Sequence, residues 1–160
     1  MSNPNPAQVI PAQNNLRLKV GGGRLSFDAD AVARAEAALK SLSGQFAQWM
    51  QDELDKLEAA RAAVREKGMT AQTAETLYMR AHDLKGLGTT YEFPLVTRIA
   101  GSLCKLIDNP ATRANAPLPL VDAHIDAIKA AVRDDIKTDE HPVGRALAEE
   151  LESGARAYLK

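Results

Sequence analysis

The chain has 160 residues, enough for one domain with a sizeable core. Apolar residues make up 45% of it but aromatics only 4%, and alanine is abundant, which favours helices over a β-rich fold. A net charge of −1 lacks the basic excess of bulk nucleic-acid binders, the single Cys104 forbids an internal disulfide, and no run of about 18 apolar residues exists to span a membrane.

Residues 1–15 hold three prolines and four asparagines and read as part of a flexible N-terminal arm spanning 1–27. The arm has neither a charged n-region nor an apolar h-region, so no signal peptide is expected and the cytoplasm is the expected compartment. Leu16 to Val20 alternates apolar and polar residues, as in a short extended segment, before Gly21-Gly-Gly23 breaks it.

Asp28 or Asp30 can cap the next element. From there Val32, Leu39, Leu42, Phe46, Met50, Leu54, Leu57 and Val64 recur at helical spacing as far as Lys67, where Gly68 stops the pattern. A single helix would be about 57 Å long, so a break at Ser43-Gly44 is expected, with helices over 29–42 and 45–67. Trp49 is expected to pack on this helix rather than bind a ligand. Thr70 can cap a helix over 70–92, which Pro94 ends. Pro94 then opens a helix over 94–108, and 109–117 form a connector. Further amphipathic patterns cover 118–136 and, more weakly, 143–159. The expected fold is all-α: an up-and-down antiparallel four-helix bundle with its core at about 45–136. It would carry extra N- and C-terminal helices within a single domain over 28–160.

The helix over 70–92 has two faces. Leu77, Ala81, Leu84, Gly88 and Tyr91 form a core seam, while Tyr78, His82, Lys85, Gly86 and Thr89 form a strip beside it. No G-x-x-x-x-G-K-[ST] loop, dinucleotide fingerprint or H-E-x-x-H motif is present. His124 lies near an apolar helix face and His141 precedes a proline, so neither joins His82 in a metal site. His82-Asp83 also resembles the His-Asp doublet of metal-dependent phosphohydrolases, but their further His and Asp ligands cannot be assembled here. Cys104, in an apolar helix, reads as a small core residue, with redox sensing as the minor alternative. For His82 the plain alternative is a surface histidine with an ordinary lysine one turn on. Against it stands Gly86, which costs about 1 kcal/mol relative to alanine inside a helix and so needs a reason, such as the close approach of another group.

At His82-Asp-Leu-Lys85-Gly86 the chain resembles histidine phosphotransfer (HPt) domains of two-component phosphorelays, whose phosphoacceptor helix carries H-x-L-K-G and whose fold is a four-helix bundle. The resemblance covers about 45–136 and continues at Arg98-Ile-Ala-Gly-Ser-Leu103-Cys-Lys-Leu106-Ile107, which looks like the helix packed beside the acceptor. The chain departs from the family at Leu87-Gly88, where small polar residues are usual, and at Glu92, where a glycine is. The resemblance implies that His82 accepts a phosphoryl group from a receiver-domain aspartate and passes it to another receiver. Lys85 would stabilise phosphoryl charge, Gly86 would admit the partner, and Glu75, Tyr78, Thr89 and Arg98 would contribute to docking. It further implies a monomeric, stoichiometric carrier rather than an enzyme, fed directly or through a receiver by a sensor histidine kinase. The chain would need no cofactor or metal of its own, since Mg2+ would sit in the receiver. Two other readings are a helical scaffold or sequestering module that binds a response regulator without chemistry, and a histidine kinase. Nothing in the sequence supplies the kinase's ATP-binding α/β domain.

Overall fold

In the computed structural model residues 24–160 are described, with side chains from residue 28 onward; the expected arm before residue 24 and the extended segment at 16–20 lie outside the described residues. Five helices account for the architecture, and no strand occurs among the described residues. They are α1 (Arg24–Lys67), α2 (Ala71–Leu87), α3 (Pro94–Leu106), α4 (Leu118–Arg133) and α5 (Pro142–Leu159), with a 3₁₀ turn at Arg113–Asn115. The chain divides into two compact units, Met1–Ser43 and Gly44–Lys160.

Two expectations about α1 are corrected. The helix opens at Arg24, ahead of Asp28, and Ser43-Gly44 does not interrupt it. One glycine costs too little to stop a helix that is already propagating. Val32, Leu39 and Leu42 share the apolar spacing but are exposed, whereas Met50, Leu54, Leu57 and Val64 are buried in the second unit. Gly68 ends α1 in the left-handed region at φ 85°, its N–H bonded to the Val64 carbonyl at 2.8 Å.

In the second unit α3 is the central element. Leu95, Val96, Ile99, Ala100, Leu103, Cys104 and Leu106 are all buried on it. It packs on α2, α4 and α5, and α4 also meets α5. The last helix is therefore no appendage: Ala148, Leu151 and Ala155 are buried in the same core as Leu54 and Leu77. Its N-terminus is capped by His141, whose Nδ1 accepts the Val143 N–H at 3.1 Å.

Polar side chains inside the unit are all accounted for by partners except at one atom. His124 is fully buried, with Nδ1 2.8 Å from the Leu120 carbonyl and Nε2 2.9 Å from Ser102 Oγ. A carbonyl only accepts, so Nδ1 carries the proton and Nε2 accepts from the serine. Burial pushes the His124 pKa down, with the Leu120 bond opposing it. Arg61, also buried, binds Asp126 at 2.7 Å and Glu58 at 2.7 Å and thereby ties α1 to α4. The exception is Arg113 Nε.

Candidate functional site

Helix α2 begins with a reciprocal cap. Thr70 Oγ1 accepts the Thr73 N–H at 3.1 Å, and Thr73 Oγ1 accepts the Thr70 N–H at 2.9 Å. The helix ends at Leu87, short of the expected 91–92, for a reason found on α3. Thr97 Oγ1 accepts the Thr89 N–H at 2.8 Å, diverting a donor that a longer helix would use. The chain then closes through Glu92, at φ 70°, with the Phe93 N–H on the Gly88 carbonyl at 2.7 Å. Gly88 is required at this junction. A Cβ there would collide with Thr97 Oγ1 and stand 2.7 Å from the Thr97 backbone nitrogen.

The two faces of α2 separate as the spacing predicts. Leu77, Ala81, Leu84 and Gly88 are buried and Tyr91 is half-buried, whereas His82, Lys85, Gly86 and Thr89 are exposed. Tyr91 closes an aromatic cluster with Phe46 and Trp49, centroids 5.7 and 5.9 Å away, so the only tryptophan packs while remaining 42% exposed. Gly86 behaves unlike Gly88: a Cβ on it would meet nothing within 4 Å outside its own helix backbone among the described residues, so none of those groups requires glycine there.

His82 lies beside Tyr78, ring centroids 6.0 Å apart. Two residues outside the helix hold Tyr78. Its hydroxyl donates to Asp108 Oδ1 at 3.2 Å, and the Arg113 guanidinium stands over its ring at 4.6 Å. Arg113 is itself fixed by its bond to the Asp108 carbonyl at 3.0 Å. Desolvation and then the Asp108 bond raise the Tyr78 pKa, with Arg113 opposing, so the phenol remains a donor. Tyr78, exposed Met79, His82 and Asp83 line a shallow concavity of about 210 Å³. A second concavity shares Tyr78 and Met79 and continues to Glu75, Ala71, Pro110 and Arg113. Asp108, Arg113 and Met79 thus join the site without having been anticipated. Met79 was visible in the sequence as an apolar residue off the seam, whereas nothing local pointed to the two connector residues.

Lys85 turns toward α3. Its Cδ and Cε lie 4.0 Å from where a Gly101 Cβ would sit, beside a groove that also includes Thr97 and Arg98. Thr89 and Arg98 are already occupied within the chain. Thr89 Oγ1 bonds Thr97 Oγ1 at 3.1 Å, and Arg98 is clamped by Glu152 at 2.9 and 2.7 Å and by Asp139 at 3.0 Å. The Arg98 bonds hold the Glu152 carboxyl below its ordinary pKa, against the effect of burial. Cys104 is buried near this helix pair, and desolvation pushes its thiol up to about 11, with Lys85 opposing. It is a packed thiol.

Chemically, the site offers an exposed imidazole, an exposed cation one turn away and an open glycine next to that cation. Among the described residues no three His, Cys, Asp or Glu side chains come together as a metal site. No helix among them is long and apolar enough to cross a membrane. Compared with family models, with curated proteins and with solved structures, the chain matches none.

Proposed function

We propose that this protein is an HPt phosphocarrier of a two-component phosphorelay, a cytoplasmic monomer whose second unit is built on an up-and-down four-helix bundle. The observation that carries the reading is the arrangement on α2: exposed His82, Lys85 one turn on, and Gly86 with open space where no described residue needs it. A surface histidine without a task gives no account of the glycine.

In the proposed step the neutral His82 imidazole attacks the phosphorus of a receiver's aspartyl phosphate in line. An N–P bond forms as the P–O bond to the aspartate breaks, and the carboxylate leaves with the bonding pair. Passing the group to a second receiver reverses the sequence. Charge spreads over the equatorial oxygens in transit, and Lys85 can swing its ammonium to them as a point charge on a flexible stem. The receiver would bring Mg2+, and a sensor kinase would supply the phosphoryl group upstream. Tyr78, braced by Asp108 and Arg113, offers a firm ledge beside the imidazole, with Glu75 and Met79 continuing it. Thr89 and Arg98 would shape that surface through bonds within the chain rather than reach the partner with free groups.

The test is transfer from a purified, phosphorylated receiver. The wild-type chain should take up acid-labile label, His82→Gln should take up none, and ATP alone should label neither. Label on the Gln variant would refute His82 as acceptor. Receiver binding that survives His82→Ala, with no label on the wild type, would make the chain a binding module instead.

A further inference from the structure

The groove beside Lys85 has a volume of about 490 Å³, and the site proposed for His82 uses only its edge. Its walls are one face of α3 (Thr97, Arg98, Gly101, Ser102, Lys105) and one face of α5 (Glu152, Ala155, Arg156, Leu159). Four cations and one carboxylate line it. The carboxylate, Glu152, already takes two bonds from Arg98, at 2.9 and 2.7 Å. Lys105 and Arg156 act on Glu152 through space and lower its pKa, but neither makes an ion pair within 4.0 Å among the described residues. Lys85, Lys105 and Arg156 are thus three exposed positive charges around a floor of Gly101, Ala155 and Leu159, in a chain of net charge −1. Four cations set against the single carboxylate of Glu152, which Arg98 already binds, leave an excess of positive charge, and an anion among them relieves their mutual repulsion.

We propose that this groove binds a small organic anion bearing two or more charges on an apolar body, of the class of a nucleoside diphosphate. Size favours a small ligand over a protein segment. The volume lies within the few hundred to about 1,000 Å³ of small-molecule sites. The α3 wall from Thr97 to Lys105 is about 12 Å long, far short of a protein interface of roughly 20 residues a side. Apolar floor and cationic rim match an anion with a body, and a bare phosphate would leave the floor uncovered. Lys85 belongs to both sites, so an occupied groove holds its ammonium away from His82 and slows phosphoryl transfer; this last consequence alone rests on the carrier reading.

The test is calorimetric titration of the full chain with ADP, pyrophosphate, adenosine and a hexaglutamate peptide at low salt, repeated for Lys105→Gln/Arg156→Gln. Both substituted residues are exposed, and an unmoved melting midpoint checks that the variant is folded. ADP should bind more tightly than pyrophosphate and adenosine, weaken as salt is added, and lose about tenfold or more in affinity in the double variant. No binding of ADP at millimolar concentration, or equal affinity in the double variant, would overturn the site. Adenosine or pyrophosphate binding as well as ADP would overturn the pairing of charge with apolar body. Tighter binding of hexaglutamate would reassign the groove to an acidic protein segment. The effect of ADP on transfer from a phosphorylated receiver is read separately. ADP binding without slower transfer would refute the shared role of Lys85 and leave the groove standing, whereas absence of any transfer would refute the carrier reading.

Discussion

Replacing Gly86 with alanine should make the protein more stable and a worse phosphoryl acceptor. Glycine in a helix interior costs about 1 kcal/mol relative to alanine, mainly through the freedom of the unfolded backbone. Gly86 is the penultimate residue of α2, so about half of that, ~0.5 kcal/mol, is expected. Nothing offsets the gain, because a Cβ there meets no atom within 4 Å and the backbone is not left-handed. For a chain of this size that raises the melting temperature by about 1–2 °C, measurable by circular dichroism or by the fluorescence of Trp49. A methyl forced into a partner's close approach costs about 1–3 kcal/mol, which slows transfer from a phosphorylated receiver by roughly fivefold to 150-fold. The opposite signs matter, since loss of activity by unfolding would lower both. Wild-type transfer in this variant would remove the partner from the explanation of Gly86, and a lowered melting temperature would show that the space is not open.

Gly88→Ala is the internal control: its Cβ would stand 2.7 Å from Thr97 N and 3.0 Å from Phe93 O, neither of which can swing aside, so stability should fall by about 2–3 kcal/mol in chemical denaturation. The depressed pKa of His124 gives a second test. The unfolded state binds the proton more readily, so stability from this group is full above about pH 6.5 and declines as pH drops below that value toward the folded pKa. Melts between about pH 7.5 and about pH 5 should show this decline in the wild type and a shallower one in His124→Gln. Arg61→Ala should cost about 1–2 kcal/mol, mostly through lost packing and bonds at α1 and α4. Asp126→Asn should cost less than about 1 kcal/mol, because the Asp126 side chain is 66% exposed and water screens the pair.

Helix starts and stops were largely legible because their causes are local. Thr70, Gly68 and Pro94 act through their own backbones or hydroxyls within a turn; Thr70 caps α2, Gly68 ends α1 and Pro94 opens α3 as expected, although the helix before Pro94 stops earlier than expected. Boundaries governed from a distance were not. The end of α2 at Leu87 depends on the Thr97 hydroxyl of the next helix, and periodicity through Tyr91 gave no warning of it. The same limit explains Val32, Leu39 and Leu42. Spacing shows which residues share a face, but burial requires something to cover that face. It also explains α5, whose short apolar pattern looked weak because Gly144, Ala148 and Ala155 supply close packing with little side chain.

The candidate site divides along the same line. His82, Lys85, Gly86 and Tyr78 are one or two helical turns apart, so their common face follows from helix geometry alone. What fixes the reach of those residues does not. Tyr78 is steadied by Asp108, 30 residues on, and Arg98 is claimed by Glu152, 54 residues on. An exposed-looking arginine on α3 is therefore a brace between helices, while a connector arginine with no sequence signal stands over the Tyr78 ring beside His82. His82 sits on a short local motif whose surroundings are set by distant partners. A change at Asp108 or Arg113 should therefore alter how His82 is presented to a partner while leaving the motif itself intact.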